Sequence, residues 1–168
     1  MNFENKLIPG LLIKRYKRFF VDIKINKKII VAHCPNTGSM RGMLKEGNKV
    51  WLTKSNNPKR KLKYTLQIIE VDGSKVGVNT HITNKIFFSA LQKNKIKEFD
   101  RNIEIKKEVK FGSNVRFDFL VTNKTKKIFI EVKNVTLTRK PKIAEFPDAV
   151  TSRGSKHIVE LLKANKQN

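Results

Sequence analysis

The sequence predicts two domains in series, a small all-β barrel over residues 1–80 and an α/β domain over residues 81–168, an α+β/α chain overall. Three observations carry that prediction. The first eighty residues hold short runs of β-branched and aromatic residues interleaved with Lys and Arg, with no stretch of helical period among them. From Asn84 the period changes, and Ile86, Phe87, Ala90, Leu91 and Ile96 recur at helical spacing. Three strand-like runs and a second helical run follow, giving the order helix, strand, strand, strand, helix.

Taken in order, Leu11 to Ile25 reads as one strand and Lys28 to Ala32 as its hairpin partner, joined at the turn-former Asn26. Lys49 to Lys54, Tyr64 to Val71 and Lys75 to Val78 read as three more, the last two joined by Asp72-Gly73, a strong hairpin dipeptide. Five short strands without a helix predict a small barrel. The OB-like barrel is the five-stranded solution that also binds oligonucleotides, although strand count alone does not separate it from an SH3-like barrel. In the second half the helix is expected from an Asn84 N-cap to Phe99. Strands follow at Ile103 to Phe111, at Val115 to Thr122 after the turn Gly112-Ser113-Asn114, and at Ile128 to Leu137. A Pro-punctuated loop then leads to a helix over His157 to Ala164, with Gly154 near its start.

Composition narrows the class. With 39% apolar residues in 168 the chain can pack a core. No apolar run approaches membrane-spanning length and the start lacks the order of a signal peptide, so the chain is expected in the cytoplasm. Cys34 is the single cysteine, which excludes an intrachain disulfide and a multi-thiolate zinc site; any metal must be held by oxygen and nitrogen. The net charge of +23 makes a polyanion the expected partner. Lys outnumbers Arg 29 to 8, a bias that A/T-rich coding also produces, so the charge is only part of the case. Its spread matters more: residues 1–80 hold 17 Lys and Arg against 5 acids, residues 81–168 hold 20 against 9, and both halves are basic.

The chemistry sits in the three strands of the second half. Glu108 is followed by Asp118 between Phe117 and Phe119, then by Glu131-Val132-Lys133. Alternation along a strand puts Glu131 and Lys133 on one face. Two carboxylates, Asp118 and Glu131, suit a hard cation such as Mg²⁺ or Mn²⁺, and a Lys beside them can offset charge on a phosphodiester. An Asp on one strand and Glu-x-Lys on the next is the pattern of PD-(D/E)xK nucleases, with Glu108 as an additional acid. Glu-x-Lys is also an ordinary ion pair on any exposed strand. The Phe-flanked Asp, costly to bury unless paired or metal-bound, weighs against that plainer reading.

Basic candidates lie in both halves. Arg15, Lys17 and Arg18 alternate with Tyr16, Phe19 and Phe20, which fits a stacking and phosphate-binding surface, or equally an amphipathic strand with a wet charged face. Lys59-Arg60-Lys61, after Pro58, reads as a phosphate clamp or a solvated loop. His33 with Asn36, Thr37 and Gly38 offers an anion-binding turn, though finishing a strand is the commoner role. Lys156 and His157 open a helix near the presumed active face, where a cation or imidazole can meet a phosphate. His81 has no distinctive context.

Longer words carry a family resemblance. Residues 13–19 (Ile-Lys-Arg-Tyr-Lys-Arg-Phe), 33–40 (His-Cys-Pro-Asn-Thr-Gly-Ser-Met), 59–61 (Lys-Arg-Lys), 78–80 (Val-Asn-Thr), 108–112 (Glu-Val-Lys-Phe-Gly), 116–119 (Arg-Phe-Asp-Phe), 131–137 (Glu-Val-Lys-Asn-Val-Thr-Leu) and 146–157 all fall in the order of that family. The chain resembles the sugar fermentation stimulation protein A (SfsA) family along essentially its whole length. The resemblance implies an OB-like N-terminal domain, a nuclease-like C-terminal domain and binding of single- or double-stranded DNA, in the setting of sugar metabolism genes such as those for maltose. Against the family pattern, Ser152 stands where some relatives carry an acid and Asn134 where a Ser is usual. Family members also continue past the last helix, so the second domain is expected to lack its final strand.

Overall fold

In the computed structural model the described residues are 3, 5–99, 101–112, 115–124, 126–140, 142–145 and 152–166, with the backbone alone at 152 and 153. The chain divides into two units: residues 1–82 with 134–148, and residues 83–133 with 149–168. A linear division at residue 80 does not anticipate the return of 134–148 to the first unit.

The first unit is a closed barrel. Its strands are β1 (Ile8–Tyr16), β2 (Phe20–Ile25), β3 (Lys28–His33), β4 (Lys49–Lys54), β5 (Tyr64–Val71) and β6 (Ser74–Gly77). β1 pairs with β2 and β4, β2 with β3, and β4 with β5, all antiparallel; a parallel pairing of β3 with β5 closes the ring at five strands, and β6 extends it beyond β5. The long run Leu11 to Ile25, read from sequence as one strand, is a hairpin. It turns at Lys17 and Arg18, whose φ angles are 46° and 59°, left-handed values that Lys and Arg do not advertise as Gly or Asn would. The Asp72-Gly73 turn has both φ angles positive, 48° and 76°, as a two-residue hairpin of this hand requires.

Burial alternates along β2 and β4, while β5 buries Thr65, Leu66 and Gln67 in a row. Val21 and Ile23 of β2, Val50 and Leu52 of β4, and Leu66 and Ile69 of β5 are fully buried with Leu12, Ala32, Cys34, Met40, Met43 and Val78. Burial pushes the Cys34 thiol up, which leaves it a small apolar filler and not a reactive group. Gly10 is required where β1 crosses β2: a Cβ there would stand 2.6 Å from Ile23 Cγ2 and 3.0 Å from the Lys24 carbonyl.

The second unit follows the expected order: α1 (Thr83–Gln92), β7 (Glu104–Phe111), β8 (Val115–Thr122), β9 (Lys127–Ile130) and α2 (Ser152–Lys166), with the strands in the antiparallel order β7-β8-β9. α1 stops at Gln92 although Ile96 continues its period. Asn94 is left-handed (φ 49°), and its N–H and that of Lys95 donate to the carbonyls of Leu91 and Ala90, a Schellman-type stop. Of the turn Gly112-Ser113-Asn114, residues 113 and 114 lie outside the described residues, as does the 146–151 part of the last family word. β9 ends at Ile130, seven residues short of the expectation, and α2 begins five residues before His157. Phe117 and Phe119 of β8 anchor the core. Phe117 packs on Phe111, Phe129 and the edge of His157, and Phe119 on Phe87 and Phe88 of α1.

Candidate active site

β8 alternates strictly: Val115, Phe117, Phe119 and Val121 are buried, and the residues between them turn away from that core. Asp118 is thus half-buried, held between two anchored rings. The β8–β9 ladder ends with Phe119 opposite Ile130, so one further step brings Asp118 level with Glu131. There the ladder gives way to the side chain, because Asp118 Oδ2 accepts the Val132 N–H at 2.7 Å. Asp118 Oδ1 accepts from Asn84 Nδ2 of α1 at 2.8 Å. Both oxygens are therefore oriented by neutral donors, which fix the carboxylate without cancelling its charge.

Glu131 is the more enclosed acid, its side chain 11% exposed. Oε1 accepts from Lys133 Nζ at 2.7 Å and lies 2.9 Å from His157 Nδ1, a charge-pairing distance without hydrogen-bond alignment. Oε2 is buried and has no hydrogen-bond partner among the described residues. Glu131 and Lys133 do come together, though just past a strand and not on one. His157, expected as a DNA contact at a helix start, is instead buried in the second turn of α2, between Phe117 and Glu131. Lys156 beside it is exposed.

Glu108 is not gathered into this group. It stands across the β7–β8 ladder from Asp118, but its backbone is left-handed (φ 52°), the pairing skips it, and its carboxylate lies 3.9 Å from Arg116. Among the described residues no set of three or more His, Cys, Asp and Glu is arranged to hold a metal. What the site offers a cation is two carboxylates, one with an unsatisfied buried oxygen. That donor set fits Mg²⁺ or Mn²⁺, which accept one or two protein carboxylates and complete their shells with water and phosphate oxygens.

In the first unit, Arg15 is committed internally. Nε donates to the Arg18 carbonyl at 3.0 Å, Nη1 to that of Gly38 at 2.9 Å and Nη2 to that of Asn36 at 2.7 Å, so it pins the 36–38 turn to the β1–β2 hairpin. Lys17, Arg18, Lys59 and Lys61 are exposed, while Arg60 reaches inward to Thr65 Oγ1 at 2.6 Å. Two features escaped the sequence reading. Asn84, taken as an N-cap, lies inside α1 and holds Asp118. Trp51 carries Lys75 Nζ 4.9 Å above its ring and borders a shallow groove of about 350 Å³ with Gly10, Leu11, Lys24 and Lys49. A lone Trp in a basic strand was the available signal.

Comparisons with known proteins agree with this architecture. Residues 13–78 match the family model described as the SfsA N-terminal OB domain, and residues 81–168 match the one described as the sugar fermentation stimulation protein RE domain. A sugar fermentation stimulation protein homolog of Pelagibacter ubique is 60% identical over 99% of this chain and 72% of its own length. One of a Ruegeria species is 47% identical over 96% and 71%. Among solved structures, that of Pyrococcus furiosus SfsA in complex with Ca²⁺ matches with a TM-score of 0.81 at 28% identity, covering 97% of this chain and 68% of that one.

Proposed function

Because the chain belongs to the sugar fermentation stimulation protein family, we propose that it is a DNA-binding protein that holds single- or double-stranded DNA on the basic surface of its barrel. The observation that carries this is the Trp51 groove. An aromatic ring sits there among Lys24, Lys49 and Lys75, the combination that stacks a base while neutralising its phosphates. With it goes the effect on sugar fermentation that the family's name carries, exerted through genes such as those for maltose. No helix among the described residues is long and apolar enough to cross a membrane. Affinity for DNA, measured by fluorescence anisotropy, is expected to fall with salt at a log–log slope of about −0.7 to −0.9 per phosphate contacted. Binding that barely changes between low and moderate salt contradicts the proposal.

A second reading, cleavage of DNA with Mg²⁺ or Mn²⁺, is favoured by one observation: the buried, unsatisfied Oε2 of Glu131. Asp118 and Glu131 would hold the cation, and when bound it supplies positive charge against that developing on a phosphodiester. The chain's own residues do the positioning. Asn84 and the Val132 N–H aim Asp118, and Lys133 holds Glu131 Oε1 beside His157, so that Oε2 is the atom left over. Lys133 is 47% exposed and can turn its remaining N–H bonds to a phosphate oxygen. The relative from Pyrococcus furiosus was solved with Ca²⁺, which is also an oxygen-seeking cation. Incubation of labelled DNA with Mg²⁺ or Mn²⁺ tests this reading, with Asp118→Ala as control. Cleavage equal in the control rejects the site.

A further inference from the structure

We propose that His33, His81 and Arg60 form a phosphate-binding subsite on the first unit, one that takes a phosphate group more tightly as His33 gains a proton. The three converge from separate parts of the barrel. His33 closes β3, where the parallel pairing sets it beside Thr65 of β5. Arg60, from the β4–β5 connection, is fixed to that same Thr65 by its hydroxyl. His81 lies in the 3-10 turn Thr80–Ile82, with its ring 6.4 Å from that of His33.

The turn bearing His81 is pinned from two sides. The Thr80 hydroxyl donates to the Pro35 carbonyl at 2.6 Å, and the His81 N–H donates to Asn79 Oδ1 at 3.0 Å. Asn79 is itself buried and donates to Gln67 Oε1 at 2.8 Å. The exposed His81 ring therefore projects from a rigid support toward its partner, and the gathering of the three groups is built into the barrel.

The charge around this cluster has one sign. Charged and titratable groups reach His33 from two elements, Arg60 from the β4–β5 connection and His81 from the 3-10 turn; its neighbours on β2 and β5, Phe20 and Thr65, are uncharged. None of the three makes an ion pair among the described residues. Burial first, then Arg60 and His81, hold the His33 imidazole below its ordinary value. Such a gathering of cations costs free energy in the free protein, and an anion placed among them reverses the cost. Two imidazole N–H groups and a guanidinium fork approaching from three elements suit a tetrahedral oxyanion with several acceptor oxygens. Lys59 and Lys61, both exposed, flank Arg60 and add long-range attraction.

The direction of the pH effect follows. In the free protein His33 is depressed, so the unfolded chain takes its proton first and stability falls as pH drops below the ordinary imidazole value of about 6.5. A bound phosphate favours the imidazolium form, so binding takes up protons and strengthens over the same range. The proposal deepens the DNA-binding reading, and rests on it only for the source of the phosphate.

The test is imidazole NMR of the whole chain, titrated with dimethyl phosphate, a diester whose single charge is the same at about pH 5.5 and about pH 7.5, against chloride at matched ionic strength. The diester is expected to shift the His33 and His81 signals, with affinity roughly fivefold or more higher at the lower pH. His81→Gln, an exposed position that leaves the core untouched, should weaken binding; Arg60→Gln should weaken it too and move its pH dependence to higher pH, since one of the charges that hold His33 down is gone. A 5′-phosphorylated thymidine oligomer that outbinds its 5′-hydroxyl twin identifies the phosphate as a strand end, and equal binding identifies it as the internal diester. Imidazole signals that move no more with dimethyl phosphate than with chloride overturn the subsite, as does His81→Gln binding it as the parent does. The two readings fail separately, since loss of DNA binding appears in the anisotropy and loss of the subsite in the imidazole spectra.

Discussion

Replacing Glu131 by Gln should leave the second unit as stable as before, or more so, while removing its response to Mg²⁺. The carboxylate stands to lose little: Lys133 is 47% exposed, and a pair of that exposure contributes about 0.2–1 kcal/mol. Against it stands Oε2, buried without a partner, and an unsatisfied buried acceptor costs about 1–3 kcal/mol, more when it carries charge. A neutral amide of the same shape keeps the packing on His157 and lowers that cost. The net change should fall within about 1 kcal/mol, toward stabilisation, and about a fivefold slowing of exchange is the upper end of that range. Trp51, Tyr16 and Tyr64 all lie in the first unit, so intrinsic fluorescence is silent about the second. Amide hydrogen exchange of the β8 peptide, residues 115–122, is the suitable probe. In the parent chain Mg²⁺ at about ten times its Kd should slow that exchange roughly tenfold by mass action on the native state, and in E131Q it should not. Exchange more than tenfold faster in E131Q would show the carboxylate to be a structural member of the core. An equal Mg²⁺ effect in both chains would place the cation elsewhere.

Trp51→Ala should weaken DNA binding by about 1–3 kcal/mol in anisotropy titrations, the worth of one stacked base, and an unchanged affinity would remove the groove from the interface. Arg15→Ala should destabilise the barrel by about 2–3 kcal/mol in urea, followed by Trp51 fluorescence, because three carbonyl contacts from a charged group are lost at once; stability equal to the parent would return Arg15 to the list of free DNA contacts. Asn94→Ala should cost about 1 kcal/mol and Asn94→Gly nothing, read by exchange of the α1 amides, since the left-handed φ of 49° penalises a Cβ that cannot bond locally.

How much was legible beforehand follows the range of each interaction. Local period located Lys49–Lys54 and Val115–Thr122 to the residue, because in each the alternation of more and less buried side chains is complete within the strand; Tyr64–Val71 was located by its apolar and β-branched composition, since it buries Thr65, Leu66 and Gln67 in succession. The Asp72-Gly73 turn was equally plain, both residues tolerating the positive φ it needs. Lys17-Arg18 was not, since the same backbone is imposed there by the pairing of β1 with β2 and not by the residues that adopt it. The premature end of β9 has the same character: nothing in Glu131-Val132-Lys133 stops a strand, and what stops it is a carboxylate from β8 taking the Val132 N–H.

Sequence by itself placed Asp118 on one strand and Glu131 and Lys133 at the next, because strand spacing and residue type are local properties, and it set the order of elements and the basic character of both halves. Only the tertiary structure decided which partners complete the group. It drew Asn84 to Asp118 across 34 positions and His157 to Glu131, turned Glu108 aside to Arg116, spent Arg15 on carbonyls 21 and 23 residues away, and brought His81 to His33. These pairings depend on how packed cores orient the backbone between distant segments. A periodicity of 2 or 3.6 says which face a side chain occupies, but not which distant residue will stand opposite it.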